Sequence, residues 1–124
     1  GALGYVNQAY VKGKIKAAAI QNKNGNYVKP TSSNGSAGLA GIKLDAYNTG
    51  TDPNPAGAKA YPISTLTWVL AYATGNGENT AALKKTFTYM LSNKAQSQAP
   101  SLGYVPLPSS IRKVSLAAVQ KIGK

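Results

Sequence analysis

Three observations predict an α/β fold for this chain of 124 residues. The segment Tyr61–Ala73 is rich in β-branched and aromatic residues, which is typical of a strand. Residues 14–28 have the pattern of a β-hairpin around Asn24-Gly25. Two amphipathic segments lie in the C-terminal half. Because strands followed by amphipathic helices are typical of layered α/β domains, we expect a mixed sheet flanked by helices.

The N-terminal part is predicted to contain a short buried strand at Tyr5-Val6 and then the hairpin. In the extended segment from Lys14 to Ile20, one side carries Lys14, Lys16 and Ala18, and the other carries Ile15, Ala17 and Ala19. Residues 26–28 supply the returning strand. The lysines are therefore expected on the solvent-exposed face of the hairpin.

The central stretch, residues 30–57, is rich in Gly, Ser, Asn and Pro, and it predicts a surface connection. One short helix is possible there, anchored by apolar residues such as Leu39 and Ile42. Gly35, Gly38 and Gly41 are expected to weaken it, since a glycine costs about 1 kcal/mol relative to alanine inside a helix.

The second half is expected to contain the main strand and two helices. The apolar run Leu66–Tyr72 indicates a strand buried on both faces. The first helix is predicted to be capped by Asn79 or Thr80, and the second by Ser109 or Ser110. Their apolar stripes are, in the first helix, Leu83, Phe87, Met90 and Leu91, and, in the second, Ile111, Val114, Ala118 and Ile122.

The composition argues against an enzyme. The chain contains no Cys and no His, so thiolate nucleophiles, histidine acid–base chemistry and Cys/His zinc sites cannot be built from it. Its only carboxylates are Asp45, Asp52 and Glu78. A paired-carboxylate mechanism would require a very particular fold. We therefore expect no catalytic residues, no metal site and no cofactor.

The charge balance predicts a surface that attracts anions. There are 14 basic residues against 3 acidic ones, a formal net charge of +11. The basic residues are spread along the chain, and only Lys12, Lys14 and Lys16 are close together. Specific nucleic-acid binding is not expected, because a basic stripe interleaved with aromatic residues is missing. The apolar stretch Ile63–Ala73 is too short to span a membrane.

Four features are candidates for a binding site. Residues 31–36 could bind an anion through backbone N–H groups, or form a plain loop. Ser64 and Thr65 could face a cleft, or satisfy the local backbone. Trp68 could stack on a sugar or a base, or pack in the core. Arg112, the only arginine, could hold an anion, or lie on a helix surface.

Several segments, in a fixed order, resemble the phosphate-binding proteins that deliver phosphate to bacterial ABC transporters. The matching pieces are residues 1–10 (GALGYVNQAY), 18–28 (AAIQNKNGNYV) leading to Pro30-Thr31, 61–70 (YPISTLTWVL), 83–87 (LKKTF) and 102–109 (LGYVPLPS). The turn GYVPLP is fairly specific, and together the pieces span nearly the whole chain.

The resemblance implies the two-lobed class II fold of periplasmic binding proteins, whose lobes close on phosphate. The chain is similar to the C-terminal third of such a protein. By this resemblance, residues 1–58 belong to the second lobe, and residues 59–124 contribute the hinge strand and the C-terminal helices of the first lobe. Because the chain begins at Gly1, inside a strand-like segment, we expect it to be a piece of a longer protein.

No phosphate ligand of the family is carried over to this chain. The ligands of the family precede the matched region, and its Arg-x-x-x-Ser-Gly-Thr motif has no equivalent here. Ser64 and Thr65 remain weak candidates for phosphate binding. Residues 32–50 also depart from the helix that is usual in the family.

The function that the resemblance implies is a non-catalytic phosphate receptor of an ABC transporter. Its expected partners are inorganic phosphate, the remaining portion of the binding protein and an ABC permease. Its expected location is the periplasm or the cell surface. The alternative is a basic secreted module that binds anionic polymers or a protein partner. A lone third of a two-lobed protein should leave apolar faces and sheet edges open.

Overall fold

The computed structural model describes residues 2–123, and Gly1 and Lys124 lie outside the described residues. The elements are a two-stranded sheet, four α-helices and two single 3-10 turns. In chain order they are the first 3-10 turn Gln8–Tyr10, β1 Ile20–Gln21, β2 Tyr27–Val28, α1 Ser32–Leu39, α2 Asn79–Met90, α3 Asn93–Gln98, the second 3-10 turn Ala99–Leu102 and α4 Ser109–Gln120. The described residues thus form a small mixed fold in which helices predominate.

The predicted hairpin is confirmed, although it is shorter than expected. Strands β1 and β2 are antiparallel, with Ile20 opposite Val28. Gly25 has a φ of 80°, which a glycine adopts easily at a turn. Pro30 has no N–H to donate, so the ladder cannot continue far beyond Val28.

The segment before the hairpin is not a strand. The amide of Ile15 donates to the carbonyl oxygen of Lys12 at 3.1 Å, so a turn replaces the extended start that the alternation of lysines predicted. The strand predicted at Tyr5-Val6 is also wrong, because Tyr5 is 99% exposed and neither residue pairs with a strand. Two apolar residues do not make a strand without a neighbour to supply a ladder.

The central helix is confirmed as α1. The Thr31 hydroxyl caps it by accepting from the amide of Asn34 at 3.2 Å. Gly35 and Gly38 are buried, and a Cβ on Gly35 would lie 2.7 Å from Val105 Cγ2. The glycines therefore have a packing role, since they let the backbone of α1 approach its neighbours closely.

The strand predicted at Tyr61–Ala73 is wrong. In the described residues the only sheet is the two-stranded hairpin, and this segment pairs with no strand. Leu66 is buried, whereas Ile63, Val69, Leu70 and Tyr72 are exposed. High β-propensity reflects a fit to a half-buried pleated surface, and no neighbouring element provides that surface here. Residues 2–123 consequently do not form the expected mixed sheet flanked by helices.

The two predicted C-terminal helices are confirmed as α2 and α4, but their predicted caps are wrong. Glu78 and Pro108 occupy the N-cap positions, and neither makes a side-chain capping bond. Thr80 instead donates to the carbonyl oxygen of Gly77 at 2.8 Å. Helix α3 is not expected from the sequence; it is capped by Ser92, whose hydroxyl accepts from the amide of Ala95 at 3.2 Å.

The predicted apolar stripes are only partly buried. In α2, Leu83 and Phe87 are half-buried and Met90 is exposed, while Leu91, the C-cap residue, is half-buried. In α4 and just beyond it, the buried residues are Ile111, Val119 and Ile122, while Val114 is exposed. The two helices pack against each other. No helix of residues 2–123 combines the length and the apolar character that a membrane crossing requires.

The core is small and draws on both halves of the chain. Leu39, Ile42, Leu66 and Ile111 form its buried centre. The half-buried residues packed against it are Leu44, Val105 and Leu107. The core therefore joins α1, the extended segment after Tyr61 and the start of α4.

Candidate functional site

A polar cleft of about 360 Å³ lies beside the N-terminus of α1. Both 3-10 turns contribute to its walls. The lining residues are Gln8, Ala9, Val11, Lys12, Pro30, Thr31, Ser32, Pro100, Ser101, Leu102 and Gly103. It thus brings together three segments that are far apart in the sequence.

The close approach of Gly103 to Ala9 holds two walls of this cleft together. Gly103 ends the second 3-10 turn with a φ of 80°. A Cβ at this position would overlap the backbone of Ala9, so only a glycine fits. On the facing wall, Asn7 caps the first 3-10 turn, its Oδ1 accepting from the amide of Ala9 at 2.9 Å. In the sequence, Gly103 is recognisable as the first residue of the GYVPLP turn, but nothing in that turn indicates that Ala9 lies beside it.

The electrostatics of the cleft favour an anion. The N-terminus of α1 carries the positive end of the helix dipole, and Lys12 adds a full charge. The predicted anion-binding segment 31–36 therefore lies partly at this cleft, as the first turn of a helix and not as a plain loop. Thr31 already uses its hydroxyl, which contacts the Asn34 amide and Ser33 Oγ at 3.2 and 3.1 Å. A dehydrated phosphate needs many converging donors, and one lysine and a helix end are few.

Ser64 and Thr65 lie outside this cleft. Ser64 is half-buried, and its hydroxyl donates to the carbonyl oxygen of Tyr61 at 3.1 Å. Thr65 is exposed and donates to the carbonyl oxygen of Leu66 at 3.4 Å. Both hydroxyls are thus directed to nearby backbone, and their role toward phosphate stays a prediction.

A second, more open cleft of about 510 Å³ lies beside Trp68. The indole N–H of Trp68 donates to the carbonyl oxygen of Asn48 at 3.0 Å, which fixes the ring against the preceding loop. Trp68 is 42% exposed, so it is not a core residue. The other residues that line this second cleft are Lys43, Asp45, Thr49, Gly50 and Thr51.

Asp45 organises the loop that forms this cleft. Its carboxylate accepts from the Thr49 hydroxyl at 2.7 Å, from the Thr49 amide at 2.9 Å and from the Tyr47 amide at 2.8 Å. These bonds hold the pKa of Asp45 below its ordinary value of 3.8, and the bond from the Thr49 hydroxyl lowers the pKa most. From the sequence, Asp45 is expected only as one of three carboxylates. The aspartate followed four residues later by threonine could have indicated this loop.

The remaining candidate, Arg112, lies in the first turn of α4 and is half-buried. Among residues 2–123, no group of three or more Asp and Glu side chains is placed to hold a metal ion. The described part of the chain thus offers a polar cleft with an anion-favouring end and a more open cleft beside Trp68.

Comparison with known proteins relates the chain to part of a phosphate-binding protein. No family model matches it. It is 30% identical to the phosphate-binding protein PstS of Methanocaldococcus jannaschii over 140 aligned residues, which cover 97% of this chain and 34% of that protein. The chain thus spans about a third of the length of this relative.

Proposed function

We propose that this chain is the C-terminal portion of a phosphate-binding receptor that serves an ABC transporter. Such a receptor selects phosphate by hydrogen bonds and catalyses no reaction. The observation that carries the proposal is the match of nearly the whole chain, 97%, to 34% of a phosphate-binding protein. A match of this extent favours a structural portion of the receptor over a short shared motif.

The exposed apolar residues support the view that a larger protein completes this fold. Leu70 is 95% exposed, and Ile63 and Tyr72 on the same segment are also exposed. Water-exposed apolar groups on an unpaired extended segment are unfavourable, and pairing with further strands would bury them. In the complete receptor, residues 1–58 would belong to one lobe and residues 59–124 to the hinge strand and the other lobe.

The phosphate ligands are proposed to lie mainly in the remaining portion. Ser64 and Thr65 are the weak candidates within this chain, because a rearranged, paired segment could free their hydroxyls from the backbone. The proposed partners are inorganic phosphate, the remaining portion and a permease. The proposed location is outside the cytoplasmic membrane, where a receptor for imported phosphate meets its ligand.

A chimera tests the proposal directly. The matching third of the Methanocaldococcus jannaschii protein is replaced by this chain, and phosphate binding is measured by titration calorimetry with sulfate as the control anion. We expect the chimera to bind phosphate selectively, whereas the relative truncated before this third and the isolated chain give no heat. A binding clamp requires both walls, so neither part is sufficient alone.

Two results would contradict parts of this proposal. A chimera that melts cooperatively but gives no heat with phosphate would contradict the proposed function. Tight and selective phosphate binding by the isolated chain, after its intact mass has been checked, would contradict the placement of the ligands in the remaining portion. Ser64→Ala and Thr65→Val in the chimera then measure whether either hydroxyl takes part.

A further inference from the structure

The N-terminal part of the chain carries positive charge that no carboxylate of the same part offsets. Residues 1–44 contain six lysines and no Asp or Glu. The first carboxylate is that of Asp45, whose oxygens are engaged by Thr49 and Tyr47. The fold places Lys43 beside Asp45 in the aromatic cleft, which leaves the other five lysines in a part of the chain that supplies no carboxylate.

Lys12 lines the polar cleft together with Pro30, the residue after Lys29, so the stretch Lys12–Lys16 begins near the end of the hairpin. The turn closed by the bond from the Ile15 amide to Lys12 compacts the stretch Lys12–Lys16. Lys23 lies in the hairpin loop, and Lys29 directly follows β2. The hairpin lysine surface is defined by the exposed residues Lys12, Lys14, Lys16, Lys23, Lys29 and Lys59.

Lys59 joins this surface because the hairpin loop binds the segment 57–60. The side-chain amide of Asn22 donates to the carbonyl oxygens of Gly57 and Ala58 at 3.0 and 3.1 Å. Asn24 Oδ1 accepts from the amide of Gly57 at 2.8 Å. These bonds hold the loop that carries Lys59 against the loop that carries Lys23. Charge is thus brought together across a sequence separation of 36 residues, from Lys23 to Lys59.

We propose that the hairpin lysine surface binds a linear polyanion, by charge and not by sequence. All six side chains are exposed, so each offers a hydrated charge, and Lys12 also lines the polar cleft. A single small anion would gain little from such scattered charges. A polymer that contacts many of them releases its condensed counterions and gains affinity with each contact. The inference concerns a surface separate from the phosphate site of the proposed function and does not depend on it.

Salt dependence of binding to long-chain polyphosphate tests the inference. If each contact contributes about 0.7 to the slope of log K against log[NaCl], as on single-stranded nucleic acid, six contacts give a slope of roughly −4. The triple variant Lys12→Gln, Lys14→Gln, Lys16→Gln should reduce the size of that slope by roughly 2. The control is Lys85→Gln, Lys94→Gln, Lys113→Gln, which removes the same charge from exposed positions on α2, α3 and α4 and should leave the slope unchanged.

Three results would overturn the inference. The first is an equal loss of slope in both triple variants, which would assign the affinity to net charge alone. The second is binding to vesicles of anionic lipid without binding to polyphosphate, which would make the partner a membrane. The third is an unchanged slope in Lys23→Gln, Lys59→Gln, a second variant that keeps the test valid if the first one fails to fold. Loss of phosphate binding in the chimera would leave these slopes unaffected, so the two proposals fail independently.

Discussion

The side-chain amide of Asn22 donates to the carbonyl oxygen of Ala60 at 3.2 Å, and both residues are buried. The same amide nitrogen is shared with the carbonyl oxygens of Gly57 and Ala58. Asn22 Oδ1 also accepts from the amides of Asn24 and Asn26 at 3.0 and 3.1 Å. One asparagine thus closes the hairpin loop and attaches it to a segment almost 40 residues later, at the boundary proposed between the two lobes.

Asn22→Leu is expected to destabilise the chain by about 2–4 kcal/mol. Leucine has a similar volume but no polar atoms, so the buried carbonyl oxygen of Ala60 loses its donor and must be desolvated without compensation. The free energy of unfolding is measured by urea denaturation. Asn24→Ala is the matched control, because its single bond to Gly57 is exposed and its loss should cost about 1 kcal/mol or less. Equal effects of the two substitutions would contradict the role assigned to Asn22.

Gly38→Ala is expected to destabilise the chain by about 1–3 kcal/mol, although alanine is the better helix former. A Cβ on Gly38 would lie 2.6 Å from the carbonyl oxygen of Tyr61, which is backbone and cannot move aside easily. The control is Gly41→Ala, since a Cβ there meets no atom within 4 Å. That substitution should be neutral or stabilise by up to about 1 kcal/mol. A Gly38→Ala variant as stable as the parent, by urea denaturation, would contradict this packing.

Local signals in the sequence predicted the elements that depend only on local structure. The hairpin follows from Asn24-Gly25, which favours a tight turn wherever it occurs. Helices α2 and α4 follow from apolar periodicity, and their existence was predicted more reliably than their caps. Helix α1 was also predicted, but its glycines were interpreted by propensity alone. Their packing against Val105 and Tyr61 depends on residues distant in the sequence.

The strand predicted at Tyr61–Ala73 was wrong because a strand depends on its partners. Its β-branched and aromatic residues favour a buried ladder, and no other described segment supplies one.

The candidate site likewise depends on contacts between residues that are distant in the sequence. The contact between Ala9 and Gly103, which shapes the polar cleft, joins segments more than 90 residues apart and leaves no periodic signal. Ser64 and Thr65 were selected by residue type, and type alone does not specify where a hydroxyl points.

The pKa of Asp45 should depend on Thr49. Hydrogen bonds from the Thr49 hydroxyl and amide lower this pKa from 3.8, so the folded state binds this proton less readily than the unfolded chain. The associated stability is present above pH 3.8 and is lost as the pH falls through the lowered pKa. Thr49→Val removes the hydroxyl bond and should raise the pKa of Asp45 toward 3.8, measured by NMR titration of its carboxyl carbon. An Asp45 pKa that does not rise in this variant would contradict the assigned cause.

Truncation should destabilise the chain at Leu66 and have little effect at Leu70, although both leucines belong to one segment. Leu66 is 7% exposed in the core and Leu70 is 95% exposed. Leu66→Ala should cost about 2–4 kcal/mol, whereas Leu70→Ala should stay within about 0.5 kcal/mol, both by urea denaturation. In the proposed chimera, Leu70→Ala should instead lower the melting temperature, because we expect the added portion to cover that side chain. Leu70→Ser together with Ile63→Ser should reduce fluorescence of the dye ANS on the isolated chain. An isolated chain that binds no ANS, or a chimera indifferent to Leu70→Ala, would contradict an apolar segment completed by the remaining portion.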